Sequence, residues 1–183
     1  PHMSAADNIG YGLRMRGNVA GGERSPAIHL AGRLRDVNTN LLHVLWPPFV
    51  APPQRAWIFE NVVAGTVPEG SFQINYEENQ LAEANDNRKN PDGSIDFRFM
   101  MTDVTTHYFR SLPDLVGASG LAHLQDNTFQ LDIDKGAATL PSGDVIKLNS
   151  GTSSAKDIRP RELIGQFHLD LPASLSAMLP VAV

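Results

Sequence analysis

Strict two-residue alternation of apolar and polar side chains is the feature of this sequence that most restricts its fold. The alternation is clearest in residues 72–76, 95–99, 129–133 and 167–171. Because successive side chains of a strand point to opposite faces, each segment has one apolar and one polar face, which is typical of antiparallel sheet. Weaker strands are predicted over residues 28–34, 41–46, 116–124 and 145–148.

The segments between these strands predict helices and a long polar loop. Pro52 and Pro53 suit a first helical turn, where a missing N–H costs nothing, so a helix is predicted over residues 52–63. A second helix is predicted from Pro172 onward. Residues 77–92 are rich in Asn, Glu and Asp and predict a solvated loop. We expect a mainly β fold: a long, twisted antiparallel sheet that forms an open groove, with one or two short helices packed on it.

The length of 183 residues is that of a single domain. Residues 1–3 have the character of a cloning scar, and the chain ends on an apolar run, residues 179–183. Residues 4–183 are therefore expected to be a single β-groove segment of a larger protein.

The apolar positions of the alternating segments predict the lining of the groove. They are Phe72, Ile74, Tyr76, Ile95, Phe97, Phe99, Phe129, Leu131, Ile133, Phe167 and Leu169. Covering one such side chain is worth roughly 1.5–3 kcal/mol, so a face of this size requires a cover. Two short helices are too small to hide it, and lipid acyl chains, which are flexible and apolar, are a suitable cover.

Composition and motifs argue against most catalytic and metal-binding classes. The net charge is −5 with basic residues scattered along the chain, unlike the clustered footprint of a nucleic-acid-binding protein. There is no cysteine, which excludes disulfides and thiolate metal sites. Ser153 and Lys156 have the Ser-x-x-Lys spacing without its partner triplets, and Asp132 and Asp134 lack the remaining ligands of a calcium loop. We predict no enzyme, no catalytic residue, no metal site and no cofactor.

One segment has a more specific pattern. A strand is expected to end at Trp46-Pro47, and after a proline-rich turn a helix carries Arg-x-Trp-Ile-x-x-Asn over residues 55–61. Residues 65–67, Gly-Thr-Val, then open the next strand. This order of elements resembles the central region of the AsmA-like family of Gram-negative envelope proteins, in particular the YhdP type, which is related to TamB. The likeness covers about residues 46–171.

A second part of the likeness lies at residues 108–120. The family pattern there is a strand ending in Leu-Pro-Pro-Leu and followed by glycines. This chain has Leu-Pro-Asp-Leu at residues 112–115, so Asp114 replaces the second proline. The acidic spacer at residues 79–90 also departs from the family pattern.

The resemblance implies a periplasmic location within an inner-membrane-anchored protein that is built as a long β groove. Relatives are implicated in moving phospholipid toward the outer membrane and in envelope integrity. The family has no catalytic motif to transfer. The matching residues are structural, and Trp46, Pro47 and Trp57 are expected to set a strand-to-helix corner.

Three functions stay open at this stage. The first is a lipid-binding groove segment, with phospholipid acyl chains and neighbouring segments of the same full-length chain as partners and no nucleic acid. The second is a structural β-sandwich scaffold or protein-interaction module with a dry core. The third, ranked last, is a hydrolase with carboxylates assembled in space. Open sheet edges also predict that the fragment can self-associate.

Overall fold

The computed structural model describes residues 12–107, 113–140, 142–156 and 165–170. The strands are β1 (Arg14–Ala20), β2 (Ala27–Asn38), β3 (Val62–Tyr76), β4 (Ile95–Thr106), β5 (Leu115–Gln125), β6 (Thr128–Thr139), β7 (Val145–Leu148), β8 (Ser150–Lys156) and β9 (Gly165–Asp170). The helices are α1 (Thr39–Leu45), α2 (Pro52–Asn61) and α3 (Gln80–Asn87). Residues 1–3 and the helix predicted from Pro172 lie outside the described ranges.

The strands form one antiparallel sheet in which neighbours in space are mostly neighbours along the chain. The order across the sheet is β1-β2-β3-β4-β5-β6-β8-β9, and β7 pairs with the end of β6. The sheet is open and does not close into a barrel. The predicted fold class is thus confirmed, with three short helices in the described ranges instead of one or two.

The register of the strands aligns the alternating segments so that their apolar positions share one face. One row of directly opposed residues consists of Gly32, Phe72, Phe97, Leu124, Phe129 and Ala155. The neighbouring row consists of Leu34, Gly70, Phe99, Ala122, Leu131 and Ser153. The three helices pack on this side, which we call the helix face. The opposite side is the outer face.

Glycines in these rows make room for aromatic rings. A Cβ atom added to Gly32 would lie 2.4 Å from the ring of Phe72, and one added to Gly70 would lie 2.8 Å from the ring of Phe99. Both rings therefore lie over the glycine of the neighbouring strand, where no side chain competes for the space. Large and small residues alternate across the strands in the row that contains Phe99, whereas four large residues, from Phe72 to Phe129, are adjacent in the other row.

Residues 41–46, predicted as a weak strand, instead belong to α1 and its C-cap. Asn38 caps this helix, because its side-chain oxygen accepts a hydrogen bond from the N–H of Leu41 at 2.9 Å. Leu42 and Trp46 follow at helical spacing, and both are buried against the sheet. A short apolar run is compatible with either a strand or a helix, and the N-cap formed by Asn38 favours the helix here.

Residues 77–92, predicted as a solvated loop, contain α3. Leu81 and Ala84 are buried one helical turn apart and join the main core. The backbone N–H groups of Arg24 and Ser25 donate to the side chain of Asn79, and the hydroxyl of Ser25 accepts from the N–H of Ala82. The segment is polar because most of its side chains face water. Its two buried apolar residues and these hydrogen bonds hold it against the main core.

A buried polar cluster fastens the chain between α3 and β4 to the β5–β6 hairpin. The hydroxyl of Tyr76 donates to the Asn90 side chain at 2.8 Å. Asn90 is also paired with Asn127 by two hydrogen bonds of 2.8 and 2.7 Å. The carboxylate of Asp126 accepts from the N–H groups of Gly93 and Ile95. These hydrogen bonds join segments that are distant in sequence. They therefore hold the start of β4 and the residues before it against the β5–β6 turn.

We predict that Tyr76→Phe destabilises the protein by about 1–3 kcal/mol at neutral pH, because the buried Asn90 oxygen loses its donor. Burial raises the pKa of Tyr76 from 10.0 to about 12, and the charge of Asp126 adds to this effect. The folded state therefore retains a proton that the unfolded state loses, and stability falls as the pH rises from 10 to 12.

Denaturant unfolding of both proteins at a series of alkaline pH values measures this effect. The variant should lack the part of the alkaline loss that comes from Tyr76, which is about 2–3 kcal/mol. Two parallel curves for the wild type and the variant would contradict the assignment.

Candidate functional site

The helix face contains all of the predicted groove-lining residues whose side chains are described, but much of it is covered by the chain itself. Ile74, Tyr76, Ile95, Phe97 and Phe99 are only 0 to 8% exposed. They form the main hydrophobic core together with residues of all three helices. These five residues therefore do not line an open trough in this structure. We call this region, on β3 and β4, the covered part of the helix face.

Aromatic packing from the helices seals the covered part. The ring of Trp46 meets that of Phe97 edge to face, with 5.2 Å between centroids. Phe97 in turn has Phe72 and Phe99 as neighbours at 6.3 and 6.2 Å. Such tilted and edge-to-face pairs add to the free energy gained from the buried area. The cover over Phe97 is thus a packed core and leaves no space for an acyl chain.

The corner between α1 and α2 holds Trp46 in this position. Its indole N–H donates to the carbonyl of Val50 at 2.9 Å, and its own carbonyl accepts from Nε of Arg55 at 3.0 Å. The guanidinium of Arg55 lies 4.0 Å from the ring centre of Phe59, a cation–π contact. Ala51 adopts a left-handed conformation with φ of 46° between the two helices. These contacts hold the two helices together at the turn between them.

The predicted corner differs from the observed one in its first element. A helix, not a strand, ends at Trp46, because Trp46 is the C-cap of α1. Pro47 accepts a hydrogen bond from Val50 in the turn that follows. Trp57 lies on α2 and contacts Phe129 on β6, with 6.2 Å between ring centroids. Among the aromatic rings of the described helices, Trp57 is the one that extends furthest across the sheet toward β6.

The helix face is less closely covered on β6. Phe129 and Leu131 are partly buried at the margin of the main core, and Ile133 is partly buried against a second, smaller cluster. The strand beyond has small residues in register with them, namely Ala155, Ser153 and Gly151. We call Phe129, Leu131 and Ile133 the marginal part of the helix face.

The last two predicted lining residues lie on β9. The register places Phe167 opposite Ser153 and Leu169 opposite Gly151, so both continue the rows of the helix face. Their side chains lie outside what the structure describes. The backbone register therefore continues the rows across seven neighbouring strands, β2 to β6, β8 and β9.

The sequence patterns did not identify the residues that cover β3 and β4. Leu42, Val50, Leu81 and Ala84 are all buried in the main core, and none was assigned to it. The spacing of Leu81 and Ala84 and the capping Asn38 are the signals that could have identified two of the helices.

The outer face is mostly polar and carries a small electrostatic network. His123 Nε2 lies 3.0 Å from the carboxylate of Asp96, which also accepts a hydrogen bond from Arg98. Partial burial opposes ionisation of Asp96, but the hydrogen bonds and charges of Arg98 and His123 outweigh it and lower the pKa of Asp96. The network crosses β4 and β5 and helps to fix their register.

The two short sequence motifs tested for chemistry lie on the neighbouring strands β6 and β8. Ser153 and Lys156 are three residues apart on β8 and therefore point to opposite faces. Asp132 is near Gln130 on β6. Within the described ranges, no group of three or more His, Asp or Glu side chains is arranged to hold a metal ion. No described helix has the length and apolar character that a membrane span requires.

Comparisons of the chain with protein-family models, with curated proteins and with solved structures find no match.

Alanine substitutions should cost more unfolding free energy in the covered part of the helix face than in the marginal part. We predict that Phe97→Ala costs about 3–5 kcal/mol of unfolding free energy, because it opens a cavity under Trp46. Leu131→Ala should cost less than about 2 kcal/mol, because Leu131 is only partly buried. Denaturant unfolding measures both values. Equal losses would mean that the cover is uniform across the sheet.

Proposed function

We propose that this chain is the capped end of a lipid-binding groove in a larger envelope protein. In this proposal the helices close the groove over β3 and β4, and acyl chains contact the helix face from β6 onward. The observation that carries the proposal is the register, which continues the rows of the helix face past Trp57, the outermost aromatic contact of the described helices, through the small residues Ala155, Ser153 and Gly151 of β8. The role is one of binding and includes no catalytic step.

The openness of the sheet supports this proposal. A sandwich or barrel would place the whole apolar face inside, whereas this sheet remains open. Strand β1 is exposed along its length and forms one edge of the sheet, to which a neighbouring segment or a second copy can add a strand. A groove assembled from successive segments requires an edge of this kind. We include such pairing, with other segments of the full-length chain or between copies of the fragment, in the proposal.

The cellular part of the proposal rests on the resemblance in sequence alone. The sequence of the Trp46-Pro47 corner, Arg55 and Trp57 resembles the AsmA-like pattern, although a helix precedes Trp46 where the pattern has a strand. We therefore extend the proposal to a periplasmic segment of an inner-membrane-anchored protein that takes part in phospholipid transport to the outer membrane.

A second candidate is a structural scaffold or interaction module. The observation in its favour is the dry core, since Tyr76 and Ile95 are almost completely buried by the chain's own residues. In this case the marginal part of the helix face would be covered by another protein segment, and no lipid would be bound.

Photo-crosslinking distinguishes the two candidates. We predict that a photoreactive amino acid in place of Leu131 crosslinks to phospholipid that copurifies from a Gram-negative host. The same amino acid in place of Ser154, which is exposed on the outer face of β8 and two strands away from Leu121, serves as the control and should not crosslink. Protein that contains no extractable phospholipid, or equal crosslinking at both positions, would contradict the lipid proposal and favour the scaffold.

A further inference from the structure

The outer face carries a group of arginines that are scattered in the sequence. Arg14 and Arg16 lie on β1, Arg33 and Arg35 on β2 and Arg98 on β4. Arg14 is directly opposite Arg33, and Ser71 lies between Arg33 and Arg98 in the same row. All five side chains are exposed. We call them the arginine patch.

The charges of the patch are only partly balanced by carboxylates. Arg98 is paired with Asp96, and Arg35 lies opposite Glu69. Among the ion pairs between described residues, none includes Arg14, Arg16 or Arg33. Like charges directly opposite on neighbouring strands destabilise a sheet. The Arg14–Arg33 pair therefore gives the fold no electrostatic benefit, although the whole chain has a net charge of −5.

Two exposed apolar side chains lie beside the arginines. Met100 and Leu121 are directly opposite each other on β4 and β5 and are 51 and 44% exposed. Together with Arg33, Glu69, Gly70, Ser71 and Arg98 they border a shallow, solvent-open depression of about 310 Å³, so one carboxylate lies among its basic residues. The outer face thus combines positive charge with a small apolar contact surface.

We propose that the arginine patch docks the outer face onto a membrane surface that contains anionic phospholipid. The guanidinium groups would pair with headgroup phosphates, and Met100 and Leu121 would contact the boundary between headgroups and acyl chains. This contact is separate from the helix face and does not rest on the proposed groove.

The composition of the patch favours a membrane over other anionic partners. Single-stranded nucleic acid is usually held by aromatic stacking, and Met100 and Leu121 offer no aromatic ring. An acidic peptide would leave the depression between Arg33 and Arg98 without an apolar occupant. A membrane satisfies both the charges and the apolar pair.

Vesicle binding tests the proposal directly. The wild-type chain is mixed with vesicles of phosphatidylcholine alone and with vesicles that also contain phosphatidylglycerol, and binding is followed by cosedimentation. We predict binding only to the anionic vesicles and a decrease as salt is added, since salt screens exposed charges. Equal binding to both vesicle types would overturn the proposal.

Matched triple variants show whether the patch is responsible. Arg14→Gln, Arg16→Gln and Arg33→Gln together should weaken vesicle binding by about 100-fold, because each basic side chain near an anionic surface contributes on the order of fivefold. The control removes the same charge from exposed positions elsewhere, through Lys135→Gln, Lys147→Gln and Lys156→Gln. It should weaken binding by much less. Equal losses in the two triple variants would contradict a specific patch.

Two further measurements exclude other ligands. Met100→Ser with Leu121→Ser should weaken vesicle binding severalfold, which a purely ionic contact would not show. Soluble glycerol phosphate and polyglutamate should each compete poorly with the anionic vesicles. Displacement by glycerol phosphate would identify a phosphate site instead, and displacement by polyglutamate an acidic-peptide surface, and either result would overturn membrane docking.

Discussion

An open sheet with one apolar face must have that face covered, and this requirement shapes the whole molecule. The chain meets it first with its own helices, which place Trp46, Leu42 and Leu81 over β3 and β4. The cover is close over Ile74, Ile95 and Phe97, and it is less complete over Phe129 and Leu131 on β6 and over Phe72 at the margin of β3. The proposed function depends on this gradient, because a lipid can contact only the part of the face that the helices leave accessible.

Polar contacts determine where the cover lies. Arg55 and the indole of Trp46 lock the corner between α1 and α2, while Tyr76, Asn90 and Asp126 tie the segment after α3 to the sheet. These bonds are directional, so they define positions that apolar packing alone would leave open. The glycines under Phe72 and Phe99 have a complementary role, since they allow the rings to lie low against the sheet.

Sequence predicted the strands well wherever large apolar residues alternate, because period two has a direct geometric meaning. It missed β1, since Arg14–Ala20 contains only two large apolar residues, Met15 and Val19, and both are exposed. It mistook α1 for a strand because a short apolar run is ambiguous, and it took α3 for a loop because only two of its residues face the core.

The candidate sites show a different limit. The identity of the face follows from alternation, but its cover depends on where helices fold back, which no local pattern encodes. In the same way, Arg14, Arg33 and Arg98 form one row only through the register of four strands. A sequence in which basic residues look scattered can therefore fold into a concentrated patch of charge.

Paramagnetic relaxation from a phospholipid with a nitroxide on its acyl chain tests the gradient in cover most directly. We predict that the methyl NMR signals of Leu131 and Ile133 broaden when the labelled lipid is added, whereas those of Ile74 and Ile95 do not. If all four signals remain sharp, the face is sealed throughout and the chain is a scaffold. If all four broaden equally, the helices do not hold the closed position described here.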